Sequence, residues 1–292
     1  MDVQTVIAGD VELALLRAGD EGPLALCLHG FPDAATTWRH MLPVLANAGY
    51  RAVAPYLRGY APSGVPTEGR FQSGAMVSDA LALHDLLGGD GDAVVIGHDW
   101  GATVACGAAV AAPERWARVV TMAVPPGPAM ATALVSDLDQ IKRSWYMFFF
   151  QHALADLVVP SGDLAFIDAL WRDWSPGYDG AVDLELVKPS LRDPANLAAA
   201  LGTYRCALGT LPNHPELDPL QAATSQYPTQ PTRHLHGATD GCIGLSVVQA
   251  SQAMAPSSVR YHTVGDAGHF LHLERPDVVH DLVLDALRGE PT

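Results

Sequence analysis

An α/β fold, built on a mostly parallel central sheet flanked by helices and interrupted by an inserted, mainly helical cap, is what this sequence predicts. Three observations carry that expectation. Apolar runs of strand length alternate with helical segments over the first part of the chain. The alternation breaks at Pro125-Pro126-Gly127-Pro128, where three prolines remove donors and fix φ, and aromatic, mostly helical text follows to about Pro219. Strand character then returns at Arg233 to His236.

In chain order, Val11 to Arg17 and Leu24 to Leu28 read as strands, Trp38 to Ala48 as a helix and Arg51 to Tyr56 as a strand. Ser73 to Leu87 reads as a helix, Ala93 to Ile96 as a strand, Ala102 to Val110 as a helix of small residues that packs close to the sheet, and Arg118 to Val124 as a strand. After the helical insertion come strands at Arg233 to His236 and Val259 to Val264, and the amphipathic helix Pro276 to Leu287. The 292 residues, 49% hydrophobic and 17% charged, suffice for one large core plus an insertion. The expected organisation is a first core part at 1–126, a cap at 127–219 and a second core part at 220–292.

A net charge of -15, from 17 Lys and Arg against 32 Asp and Glu, argues against nucleic acid or a membrane surface as partner and favours a small, neutral substrate. Met1 to Gly9 lacks the features of a secretory signal and no later run would span a bilayer, so a cytoplasmic location is expected. Oligomeric state is left open. Cys27, Cys106, Cys206 and Cys242 lie singly, without the spacing of a zinc site or a disulfide framework, and read as small buried hydrophobes. His234 and His236 alternate on a strand, but no neighbouring ligands are evident; no metal and no cofactor is expected.

The chemistry concentrates in loops that follow strands, where ligands bind in open parallel sheets. Gly97-His98-Asp99-Trp100-Gly101, directly after Ala93 to Ile96, has the small-x-nucleophile-x-small form of a turn that lifts a nucleophile above a sheet. The nucleophile here is a carboxylate. It is already anionic at neutral pH, so it attacks an electrophilic carbon without a base and becomes an alkyl ester. Later loops supply Asp240, in Gly237-Ala238-Thr239-Asp240, and His269, after Gly265-Asp266-Ala267-Gly268. The order nucleophile, acid, histidine is that of the α/β-hydrolase fold. Asp99 attacks, His269 activates water, and Asp240 orients His269. Taken singly, Asp240-Gly241 is an ordinary turn pair and a histidine an ordinary polar residue; the combination after the right strands outweighs this.

At this point the chain resembles the α/β-hydrolase-fold epoxide hydrolases, which share an aspartate nucleophile with the haloalkane dehalogenases. The resemblance runs through HGFPD at 29–33, RGYAPS at 58–63, GHDWG at 97–101, GATD at 237–240 and GHFLHLERP at 268–276. It implies an oxyanion hole formed by the backbone N–H groups of Phe31 and Trp100, a cis Phe31–Pro32 bond, and a substrate site that includes Phe31 and Trp100. Such donors stabilise the oxyanion formed when water attacks the Asp99 ester. One departure is Pro55-Tyr56-Leu57-Arg58-Gly59, where relatives commonly read Pro-Asp-x-Arg-Gly; it is expected to alter loop packing or pocket shape and leave the triad intact.

An opening epoxide develops an alkoxide that needs a proton donor, whereas a departing halide needs only N–H dipoles. Tyr146, shortly before Phe150-Gln151, resembles the first cap tyrosine of the epoxide hydrolases. Tyr204, in Gly202-Thr203-Tyr204-Arg205, resembles the second, with Thr203 where the family usually has Trp. Phenols donate a hydrogen bond while staying neutral at pH 7, although buried tyrosines also serve simply to pack a cap. The halide alternative rests on the indole N–H of Trp100 with a second donor from Trp145, Trp171 or Trp174; against it, Phe31 stands where many dehalogenases place Asn. The expected reaction joins a small apolar epoxide and water to a vicinal diol, without a cofactor. A reading of another class, a protein that binds a small molecule without turnover, is disfavoured by the intact Asp99, Asp240 and His269 set.

Overall fold

A continuous apolar strand has no solvent face, and the two central strands obey this: β3 (Leu24–Leu28) and β5 (Val94–His98) are buried at every residue. A computed structural model describes residues 3–289. Around these two strands lie β1 (Gln4–Ala8), β2 (Val11–Ala18), β4 (Arg51–Pro55), β6 (Arg118–Met122), β7 (Thr232–Gly237) and β8 (Val259–Val264). The sheet order is β1-β2-β4-β3-β5-β6-β7-β8. β2 runs antiparallel to β1 and β4, and every other pairing is parallel.

The α/β-hydrolase fold expected from the sequence is present, with corrections at element ends. The expected helix at Trp38 to Ala48 is a short 3-10 turn, Ala35–Arg39, followed by a helix at Met41–Asn47. Pro43 accounts for the late start: its missing N–H is harmless only in a first turn. The strand expected to reach Val124 stops at Met122, because Ala123 turns to φ 65°. Trp100–Ala111 begins two residues before the expected helix, directly at the turn. β1 was not expected at all; it is a mostly exposed edge strand with too little apolar patterning to stand out.

Between β6 and β7 the described chain is helical, and its longer helices are Ser161–Trp174 and Pro194–Ala207. The segment Asp218–Ala223 packs back on Ser73–Leu86 and Trp100–Ala111, beside the sheet. Among the described residues no helix is long and apolar enough to cross a membrane. The RGYAPS loop is fixed by a buried ion pair in which Arg58 donates to both carboxylate oxygens of Asp79 at 2.7 and 2.6 Å, and to Asp10 at 3.0 Å. Tyr56 is buried in the core beside this loop.

Candidate active site

The turn after β5 holds Asp99 at φ 52°, ψ -120°, a conformation that L-residues adopt only under constraint. Close backbone approach enforces it. A Cβ on Gly97 would lie 2.0 Å from the Gly101 carbonyl oxygen, and one on Gly101 would lie 2.0 Å from that of Leu28. Gly30 clears space for the carboxylate itself, since a Cβ there would meet Asp99 Oδ1 at 2.2 Å. The flanking small residues are therefore a steric requirement of the turn.

Asp99 Oδ1 accepts the Phe31 N–H at 2.8 Å, and the Trp100 N–H also points to the carboxylate from the start of its helix. The expected cis bond is found at Phe31–Pro32, and Ala61–Pro62 is cis as well. His29 anchors this loop: its Nδ1 lies 2.8 Å from the Gly30 carbonyl and its Nε2 accepts the Leu57 N–H at 3.0 Å. Burial holds the His29 ring near pKa 4, so it stays neutral. For Asp99, burial pushes the carboxyl up; the charge of His269 and the two N–H groups only partly offset this.

His269 Nδ1 lies 3.0 Å from Asp240 Oδ2, and its Nε2 lies 3.7 Å from Asp99 Oδ2. The Asp240 contact holds a ring proton on Nδ1 and turns Nε2 toward Asp99. The other oxygen of Asp240 accepts the N–H groups of Cys242 at 2.7 Å and Ile243 at 2.9 Å. Burial pushes Asp240 up, but the charge and hydrogen bond of His269, followed by His236 and the Ile243 N–H, bring it below its ordinary value. The backbone of His269 is pinned at both ends, by its N–H to the Trp174 carbonyl at 3.1 Å and by His98 Nε2 on its carbonyl at 2.9 Å.

Tyr146, on the helix Trp145–Phe149, and Tyr204, on Pro194–Ala207, are 2% and 1% exposed and meet edge to face with ring centroids 5.6 Å apart. Gln151 joins their helices by donating to the carbonyls of Met147 at 2.8 Å and Tyr204 at 3.1 Å. Both phenols line a cavity of about 70 Å³ with Asp99, Trp100, Met130 and Ile243. Phe31 packs beneath Tyr204, ring centroids 5.2 Å apart. Burial raises both phenols well above their ordinary pKa, with the Asp99 charge adding to the effect, so both remain protonated donors.

The other candidates separate clearly. His234 Nδ1 lies 3.0 Å from Thr121 Oγ1, and His236 sets its two nitrogens 2.9 and 3.1 Å from the carbonyls of Ala123 and Ile243. Their contacts are with the fold. The Trp171 indole N–H donates to the Pro32 carbonyl at 2.8 Å, and Trp145 is 47% exposed against Phe149 and Phe166, so neither can bind a halide in the cavity. Trp174 packs on the rings of Tyr146 and His269.

Sequence reasoning missed two features. Glu274 accepts the Gly268 N–H at 2.8 Å and the Ser175 hydroxyl at 2.6 Å, bracing the loop that carries His269. Asp33, His98 and His272 form a buried cluster whose ligand-type atoms lie within 4.8 Å of one another, and burial pushes Asp33 up to about 7. Asp33 Oδ2 and His98 Nδ1 are 3.9 Å apart, wider than the roughly 3.3 Å between neighbouring ligands of tetrahedral zinc. All four residues lie inside the quoted motifs, but their contacts join segments distant in sequence, which no single motif shows.

A profile for the alpha/beta hydrolase fold matches residues 23–276. The AB hydrolase superfamily protein YfhM of Bacillus subtilis is 29% identical over 98% of this chain and 98% of its own length. Epoxide hydrolase A of Mycobacterium tuberculosis is 28% identical over 96% of this chain and 95% of its own. The crystal structure of a Bacillus megaterium epoxide hydrolase in complex with an inhibitor matches with a TM-score of 0.81 at 25% identity, over 98% of this chain and 100% of that one. The profile spans most of the sequence and the sheet order agrees with it: the chain belongs to the α/β-hydrolase fold family.

Proposed function

We propose that the protein is an epoxide hydrolase that converts a small apolar epoxide and water to a vicinal diol through an alkyl ester on Asp99, the segment 127–219 acting as its cap. The observation that carries this reading is that two buried phenols, Tyr146 and Tyr204, share one small cavity with Asp99. Relatives named epoxide hydrolase support it. In the first step an Asp99 oxygen bonds to a ring carbon, the carbon–oxygen bond of the epoxide breaks, and the oxygen takes a proton from a phenol. In the second, His269 removes a proton from water, which attacks the ester carbonyl while the N–H groups of Phe31 and Trp100 hold the oxyanion. Each such donor is worth roughly 3 kcal/mol in a preorganised site. Collapse releases the diol, and Asp99 loses the remaining proton.

One observation favours a second reading, halide release from a haloalkane: the buried Trp100 Nε1 makes no hydrogen bond of ordinary geometry among the described residues and has only a weak approach to Tyr204. A halide needs two such donors; Trp171 and Trp145 are unable to supply the other, which leaves Trp174, packed on Tyr146 and His269, as the second donor of this reading. Assaying aliphatic and styrene-type epoxides for diol beside haloalkanes for free halide separates the two. With enzyme in excess and water enriched in heavy oxygen, the label is expected in the Asp99 carboxyl after one turnover. Label found in the diol alone would exclude the ester.

The ester also changes the base. Burial lowers the His269 pKa, but the charge and hydrogen bond of Asp240, together with the Asp99 charge, outweigh this and hold it above its ordinary value. Esterification removes the Asp99 charge, so the ring pKa falls when a neutral base is needed. Ester hydrolysis requires the neutral ring and is lost as pH falls through that lowered pKa. The acid limb of ester hydrolysis is therefore expected at lower pH than the His269 titration followed by NMR in the free enzyme. A limb at equal or higher pH would contradict this coupling.

A further inference from the structure

We propose that Cys242 is a positioning residue for Tyr146: its thiol fixes the phenol at rest and donates to the phenol oxygen as the proton leaves. The inference rests on reading Tyr146 as a proton donor in ring opening.

The Cys242 Sγ lies 3.4 Å from the Tyr146 hydroxyl, at a fully buried position, and either atom can be the donor. It is the hydrogen-bond partner of that hydroxyl among the described residues, whereas the Tyr204 hydroxyl makes no bond of ordinary geometry there and has only a weak approach from the Trp100 side chain. The thiol is rigidly placed. The Cys242 N–H binds Asp240 at 2.7 Å and its carbonyl accepts from Gln140 Nε2 at 2.9 Å, and Gln140 also accepts the Gly244 N–H at 2.8 Å. The turn that carries the triad acid thus also carries the sulfur against the phenol.

The thiol is locked in its protonated form by burial, and the carboxylates of Asp240 and Asp99 reinforce this; Tyr146 and, more weakly, Arg143 act in the opposite direction. The groups that face the Tyr146 hydroxyl are Cys242, Tyr204 and Asp99. Only the first two can donate, and Tyr204 is needed at the substrate oxygen. When the ring carbon–oxygen bond breaks, the Tyr146 proton passes to the developing alkoxide and a phenolate remains. The Cys242 S–H then points to that phenolate oxygen, in a charge-assisted bond stronger than the neutral one at rest. The proton that Asp99 loses at the end of ester hydrolysis restores the phenol through solvent. Sulfur undergoes no change of oxidation state or bonding in this cycle.

The test is a double-mutant cycle on the single-turnover rate of ester formation, using a styrene-type epoxide. Cys242→Ala is expected to slow ester formation by about 5- to 30-fold, the scale of one weak donor to a charged group. Cys242→Val, which removes the donor and fills the space, is run in parallel. In a Tyr146→Phe background neither substitution should slow the step further, while in a Tyr204→Phe background both should show the full loss. Cys242→Ser, which keeps a donor at the same position, should recover most of the rate lost in Cys242→Ala. An equal loss in the Tyr146→Phe background, or no loss in the otherwise native enzyme, overturns the role of Cys242 and leaves the epoxide hydrolase reading standing. Ester formation at the native rate in Tyr146→Phe removes the premise instead, and both fall.

Discussion

The His269→Gln variant is expected to form the Asp99 ester and fail to release it, so that mixing it with an epoxide yields protein heavier by one substrate mass. Glutamine retains a group that can reach toward Asp240, which lies 3.0 Å from the native ring, but it cannot accept a proton from water. On the proposed mechanism the first step needs no base, since Asp99 attacks as a carboxylate. Loss of general base catalysis slows the second by roughly 10²- to 10⁴-fold. Intact-mass spectrometry at increasing times reads the adduct directly, and peptide mapping should put it on Asp99. An unmodified variant across several reactive epoxides would remove the covalent scheme.

Replacing both phenols is expected to act on the other half of the reaction. The Tyr146→Phe, Tyr204→Phe double variant keeps the aromatic packing against Phe31, Phe150 and Trp100. It leaves the alkoxide without a donor. Ester formation should slow by roughly 10²- to 10⁴-fold, with each single variant affected less because one phenol still reaches the oxygen. Combining the pair with His269→Gln makes the point sharply, since adduct that forms within mixing time in the single variant should then accumulate slowly. A double variant that forms ester at the native rate would leave a halide as the better substrate.

The parts of this molecule written plainly in its sequence are those decided by local patterning. Leu24–Leu28, an unbroken apolar run behind Pro23, and Val259–Val264, with Val, Tyr and Thr alternating up to Gly265, match their expected bounds. The turn at Asp99 was legible because both glycines that clear its close approaches, Gly97 against Gly101 and Gly101 against Leu28, stand within one five-residue motif. The contacts of Trp171 and Cys242 were not. Whether an indole N–H faces a cavity or the Pro32 carbonyl depends on a residue far away in the chain. A lone cysteine gives no hint that its sulfur rests on a phenol from another segment. The split of Trp38 to Ala48 lies in between: Pro43 is plain in the sequence, but the point where the helix starts depends on the 3-10 turn before it.

Asp99, Asp240, His269 and the Phe31 and Trp100 amides all belong to turns at the sheet, whereas Tyr146 and Tyr204 come from helices inserted between β6 and β7. On the proposed mechanism, the two halves of the cycle are thereby carried by separate parts of the chain. Variation in the inserted helices can change which rings open, and at which carbon, while the apparatus that frees the product stays untouched. Transplanting those helices between relatives should transfer selectivity for the electrophile and leave the rate of product liberation with the recipient.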